Sequence, residues 1–358
     1  MRRKIIFLII ICLTIFIILI IAKYKNSQIS DRNETINIIG DSRNIIEDSG
    51  IKWSKGWKKL IKGSNLQKEV IYQGKISGSE INFKFTNTGK IKFHLESANK
   101  DPIIGLEVWL DGKHTEFAYP ELKAEQTTLV LKEQEKNAIH EMRGRYYCFI
   151  IPTTPCDFRI KSIEADKNTK VLSFGENKKK TLGILGDSIS GFWGNKNYSF
   201  LLADKINYYL INDSLGGSTM SDEGFLGGVS RIKESIIAYR PDLLIILLGT
   251  NDLGRNIKPE SFLYDYEKAI NTLRKELPKT NIVLLGLLRR VDYSQEKITT
   301  YSAVIKSIAS KYNLYYVDTY NWLKVQDLSD GIHPTVEAQA KLAELIYNYL
   351  KENKLLYD

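Results

Sequence analysis

The chain has 358 residues, 43% of them apolar, too long for one average domain and sufficient for two with a core each. Its formal charge of +9 is compatible with an anionic neighbour, yet no nucleic-acid-binding motif accompanies it. Three cysteines do not make a disulfide scaffold, and no histidine or cysteine cluster has metal-ligand spacing, so neither a metal nor another cofactor is expected.

The N-terminus begins Met1-Arg2-Arg3-Lys4 and continues with an apolar run from Ile5 to Ala22 that only Thr14 interrupts. About 18–20 apolar residues suffice to cross a bilayer as a helix, so residues 1–23 are expected to be a transmembrane signal-anchor. A cleaved signal peptide is the alternative, but Ile20-Ile21-Ala22-Lys23 makes a poor cleavage site. The basic residues at the very start place the N-terminus in the cytoplasm and everything beyond the anchor outside the cell. Residues 24–50, rich in Asn, Ser, Asp and Arg without a sustained period, are expected to form a linker. A first Gly-Asp-Ser tripeptide, Gly40-Asp41-Ser42, lies there and reads as a linker feature.

From 51 to 166 the chain is written in short alternating runs such as EVIYQGKI, EINFKFTN, KIKFHLES and GLEVWLDG, separated by turn residues. Strands of this length and spacing predict an antiparallel β-sandwich. Most of the basic excess falls in residues 51–180, the sandwich together with the connector after it, so this part suits an anionic membrane surface or an anionic wall polymer; a generally lysine-rich, solvated surface is the simpler alternative. Trp53, Trp57 and Trp109 read as core residues, with stacking on a glycan as the alternative. Cys148 and Cys156 flank Ile-Pro-Thr-Thr-Pro; a tight hairpin there would put them out of register, so two buried thiols are expected rather than a bridge.

After a lysine-bearing connector, residues 167–180, the pattern changes. Over 181–358 apolar runs (LGILG, YLIND, LLIILLG, NIVLLGLL, LYYVD) alternate with amphipathic segments around Tyr198–Asn207, Leu226–Tyr239, Pro259–Glu276, Lys297–Lys311 and Thr335–Lys351. This predicts an α/β fold, a doubly wound, five-stranded parallel sheet, in which function gathers beyond the carboxyl ends of the strands.

Four short motifs fall at those ends. Gly186-Asp187-Ser188 follows the first strand, and Gly186 permits a sharp exit that presents the serine hydroxyl. Gly216-Gly217-Ser218-Thr219 follows the second, where a glycine lets a backbone N–H approach a ligand. Asn251, in Gly249-Thr250-Asn251-Asp252, follows the third and carries a neutral donor suited to a developing oxyanion. Asp330-Gly331-Ile332-His333-Pro334 precedes the last helix, with Pro334 suited to a first helical position. His333 is the sole histidine of this segment, the others being His94, His114 and His140, so it alone can serve as base.

Together these blocks resemble the SGNH, or GDSL, hydrolase family over residues 181–358, and the expected sheet is then flavodoxin-like. The resemblance implies Ser188 as nucleophile, His333 as general base and then acid, and Asp330 as the carboxylate that orients the imidazole. It further implies an oxyanion hole built from the backbone N–H groups of Ser188 and Gly217 and the side chain of Asn251, with Gly216 as an alternative alignment to Gly217. Asp187 is expected only to shape its loop. Trp193 could line an acyl or sugar pocket, as could Gly216, or Trp193 could simply pack. The sandwich ahead of this domain is similar to the jelly-roll-like domain of two-domain carbohydrate esterases of the acetylxylan-esterase type.

The expected activity is therefore that of a membrane-anchored, outward-facing serine esterase, its partners the membrane and an acylated glycan of the cell wall or exterior, with acetyl as the acyl group. The same triad also serves lipases, thioesterases and O-acyltransferases. A glycan-binding protein with an inactive hydrolase domain is the alternative of another class.

Overall fold

The computed structural model describes residues 42–62, 68–97, 103–115, 126–130, 137–149, 158–173, 179–224 and 226–356. The anchor expected over residues 1–23 lies outside the described residues, as do Gly40 and Asp41 of the first Gly-Asp-Ser. Among the described residues no helix is long and apolar enough to cross a membrane.

In chain order the N-terminal strands are β1 (Ser42–Asn44), β2 (Lys52–Trp53), β3 (Trp57–Lys62), β4 (Glu69–Gly74), β5 (Glu80–Thr86), β6 (Lys90–Ser97), β7 (Ile103–Leu110), β8 (Lys113–Thr115), β9 (Gln126–Val130), β10 (His140–Phe149), β11 (Phe158–Asp166) and β12 (Lys170–Leu172). They form two antiparallel sheets. One runs β3-β4-β11-β6-β9 with β1 added on β11, the other β12-β5-β10-β7-β8 with β2 added on β5. Alternation puts Ile81, Phe83 and Phe85 of one sheet against Ile91, Phe93 and Leu95 of the other, all in one buried core. In β11 a register shift between Ile160 and Ser162 moves the inward set from Phe158 and Ile160 to Ile163 and Ala165, so both halves of the strand face that core.

The edges of this sandwich differ from expectation. Ser42–Asn44, expected in the linker, pairs with β11, and Ile45 and Ile46 are buried behind it at 0% and 3% exposure. Lys170–Leu172, expected in the connector, pairs with β5. Strands of three residues are too short to show an alternation, so tertiary pairing alone reveals them. Trp57 is core, packed against Tyr146 and Phe158. Cys148 is disulfide-bonded, with a partner outside the described residues, which corrects the expectation of two thiols. The register argument failed because β10 and β11 belong to different sheets and never form a hairpin.

The C-terminal sheet consists of β13 (Thr181–Gly186), β14 (Tyr209–Ser214), β15 (Leu243–Leu247), β16 (Asn281–Leu285) and β17 (Tyr315–Val317). All pairs are parallel, in the order β14-β13-β15-β16-β17, the flavodoxin-like arrangement. Every residue of β13 and β15 is buried, as a strand covered on both faces requires. The helices Tyr198–Lys205 and Val336–Glu352 pack on one face through Phe200, Leu202, Leu342 and Ile346. Gly228–Ser235, Pro259–Glu276 and Gln295–Lys311 cover the other through Ile232, Phe262, Ile270 and Ile305. The last helix starts at Val336 with Thr335 as N-cap, its side chain accepting from Ala338 N; Pro334 therefore stands before the cap instead of at the first helical position.

Sandwich and parallel sheet share a polar seam. Arg143 and the fully buried Arg145, both on β10, each bond Glu80 of β5 and Asp204 of the helix Tyr198–Lys205. Burial pushes the Glu80 carboxyl above its usual range, with the Arg143 charge opposing. Tyr147, on the same strand, joins the core of the parallel sheet.

Candidate active site

The carboxyl edge of the parallel sheet brings Ser188, His333 and Asp330 into one hydrogen-bonded row. Ser188 Oγ lies 2.8 Å from His333 Nε2, and His333 Nδ1 lies 2.6 Å from Asp330 Oδ2. Asp330 Oδ1 also accepts from the main-chain N–H groups of Ile332 (3.0 Å) and His333 (2.8 Å), which fixes the carboxylate against the loop it orients. Burial would raise the Asp330 carboxyl, but the hydrogen bond and charge of His333, with those two N–H groups, outweigh it and hold the group at about 2. An ionised carboxylate on Nδ1 leaves Nε2 facing the serine as proton acceptor, the arrangement nucleophilic catalysis by serine requires.

Ser188 opens the short helix Ser188–Gly191, capped by Asp187, whose Oδ1 accepts from Ile189 N at 2.9 Å. Gly186 is required for space: a Cβ there would lie 2.5 Å from Ser190 Cβ. Its φ is not positive, so close packing, rather than the sharp exit expected, explains this glycine.

Asn251 joins the remaining loops. Its Nδ2 donates to Ser218 O (2.9 Å), next to Gly217, and to Asp187 Oδ2 (3.1 Å), next to Ser188. An oxyanion forming at Ser188 would share one of these hydrogens. Gly217, unlike Gly216, takes the left-handed conformation (φ 73°), and a Cβ there would meet only Arg255 Nη2 at 4.0 Å, so the turn is open to an approaching group. Trp193 also has a positive φ (79°) and donates its indole N–H to Pro334 O at 3.1 Å, tying it to the His333 loop. Only its ring is left to meet a ligand. Phe192 sits against both Trp193 (4.9 Å between ring centroids) and His333 (6.0 Å).

Several polar residues support this edge in ways that the motifs did not reveal. Asp187, fully buried, is pushed by burial from 3.8 to about 6, with the Ile189 N–H and the charges of His333, Arg231 and Arg290 opposing. Arg231 Nη2 donates to Gly186 O (2.8 Å) while its Nε pairs with Asp213 (3.0 Å), and Gln339 reaches Ile189 O (3.1 Å). For Arg290 a charged residue soon after an apolar strand, in LLGLLRRVD, was the available hint, whereas Arg231 and Gln339 lie on helices and had none.

Residues 184–341 match the GDSL-like Lipase/Acylhydrolase family. Esterase TesA of Pseudomonas aeruginosa is 27% identical over 184 residues, covering 48% of this chain and 88% of that protein. An acetylxylan esterase of Xylanibacter ruminicola is 25% identical over 235 residues, covering 54% of this chain and 45% of that one. Among solved structures, a family two carbohydrate esterase from Clostridium thermocellum in complex with cellohexaose superposes with a TM-score of 0.68 at 15% identity, over 86% of this chain and 100% of that one, which shows a shared fold. Sheet order, motif placement and family match thus agree that the chain carries a GDSL/SGNH lipase-acylhydrolase domain, and the protein is a carboxylic ester hydrolase.

Proposed function

We propose that this protein is a serine esterase that removes acetyl groups from a glycan of the cell wall or exterior, held to the membrane by residues 1–23 with the catalytic domain outside. The observation that carries the serine mechanism is the row Asp330–His333–Ser188, at 2.6 and 2.8 Å. In this reading His333 Nε2 takes the Ser188 proton as Oγ attacks the acyl carbon, and returns it to the leaving sugar oxygen. The N–H groups of Ser188 and Gly217 and the Asn251 amide receive the oxyanion. Water, activated by the same imidazole, then releases acetate and restores the serine. The glycan part is supported by the acetylxylan esterase relative and by the likeness over both sandwich and sheet to a carbohydrate esterase. The anchor is supported by the apolar run Ile5 to Ala22 alone.

The test is acid release by the full-length chain from a panel of substrates: acetate from acetylated polysaccharides and acetylated peptidoglycan, and fatty acid from long-chain lipid esters. Release from a polysaccharide or peptidoglycan, lost in Ser188→Ala, is the expected result. Hydrolysis confined to the lipids would replace the glycan reading with a lipase.

A further inference from the structure

The segment after β16 contains none of the family motifs, yet it touches two of them at once. Arg290 is only 8% exposed at its side chain and grips Asp292 with both prongs of its guanidinium, Nε to Oδ1 and Nη2 to Oδ2, each at 2.6 Å. Its remaining arm, Nη1, donates to Thr250 O at 2.6 Å. That carbonyl belongs to the peptide that enters Asn251. The next residue, Val291, donates its main-chain N–H to Gly331 O at 2.9 Å, inside the loop between Asp330 and His333. Gly331 has φ 84°, and a Cβ there would collide with Val291 Cγ2, so the two loops are in direct contact. Tyr293 completes the clamp, its ring 4.8 Å from the Arg290 guanidinium and its hydroxyl donating to Gly254 O at 3.4 Å.

A planar fork locked on a carboxylate has one orientation, so its third arm defines where the Thr250 carbonyl sits far better than a flexible point charge would. The position of that peptide fixes where the Asn251 amide starts. We infer that Arg290 is a positioning residue of the oxyanion hole, acting through Asn251, with Asp292 holding its fork. The inference rests on the serine-esterase reading above, in which Asn251 stabilises the oxyanion.

The test is a double-mutant cycle in the full-length chain, with steady-state hydrolysis of an aryl acetate by the wild type, Arg290→Gln, Asn251→Ala and the double variant. Arg290→Gln is expected to lower kcat by about 10- to 10²-fold with KM unchanged, the size of loss a small misplacement of a catalytic group causes. In the Asn251→Ala background the same change is expected to cost nothing further in kcat. Equal losses in both backgrounds, or a wild-type kcat in Arg290→Gln, would overturn the inference. Should Arg290→Gln fail to fold, Asp292→Asn releases the fork more gently and goes through the same cycle: a kcat loss that vanishes in the Asn251→Ala background supports the inference, and an equal loss in both backgrounds, or none, overturns it. Failure of the underlying reading looks different: Ser188→Ala would then be as active as the wild type.

Discussion

The chain carries the tripeptide Gly-Asp-Ser twice, and the two serines have opposite surroundings. Ser42 opens the edge strand β1, is exposed, and stands opposite Asp166 in an antiparallel pair. Ser188 opens a helix at the carboxyl end of a fully buried parallel strand, with an imidazole nitrogen 2.8 Å away. The same three letters thus stand at a solvent-facing edge in one place and, in the other, beside an imidazole, where the proposed function makes the serine a nucleophile. The strand before Ser188 aims it at an edge where three other loops arrive, whereas an edge strand aims Ser42 at solvent.

That contrast is most exposed to refutation at Ser188 itself. Ser188→Ala is expected to lower kcat on an aryl acetate by on the order of 10⁶-fold, because nucleophile and base act as one unit. A loss no larger than that of an oxyanion donor would show that Ser188 is not the attacking group. Asn251→Ala is expected to cost about 10²–10³ in kcat with the fold intact. Melting curves alongside the kinetics separate that from instability.

The two carboxylates around Ser188 give the contrast a pH dependence that the surroundings of Ser42 lack. Asp187, raised from 3.8 to about 6, is strained by its own charge. The native state binds this proton more tightly than the unfolded chain, so the stability of the wild type relative to Asp187→Asn should fall as pH rises from about 4 to about 6, by about 3 kcal/mol in all. Asp330, held at about 2, works in the opposite sense: relative to Asp330→Asn its contribution is present above the unfolded value near 4 and disappears as pH falls toward 2. Denaturant unfolding of the variants across pH 2–7 reads both slopes, and parallel slopes would refute the assignment. The smallest effect belongs to Ser42→Ala, expected to leave kcat unchanged and stability within about 0.5 kcal/mol.

Much of this was legible in the sequence where a period is long enough to see. The five apolar runs from 181 onward became the five strands, and the segment Pro259–Glu276 matched its helix at both ends, with proline at the start. The positions of Ser188 and Asn251 at the carboxyl edge were legible because their motifs follow β13 and β15, whereas Asp330 and His333, in the loop between β17 and the last helix, were legible only as a motif. The short strands Ser42–Asn44 and Lys170–Leu172 were not, since three residues carry no alternation. Nor was the disulfide of Cys148, because sequence spacing does not tell which sheet a strand joins.

What the sequence determined by itself was periodicity and residue chemistry: which stretches bury both faces, which alternate, and which side chains can attack, accept a proton or donate to an anion. Tertiary structure decided the company those side chains keep. Arg290 and Arg231 look like surface charges in the linear chain, yet in the fold they hold the main-chain carbonyls of Thr250 and Gly186 in the loops that carry Asn251 and Ser188. A hydrogen bond between residues 40 or more positions apart leaves no local pattern, because its geometry is set by the sheet that brings the loops together.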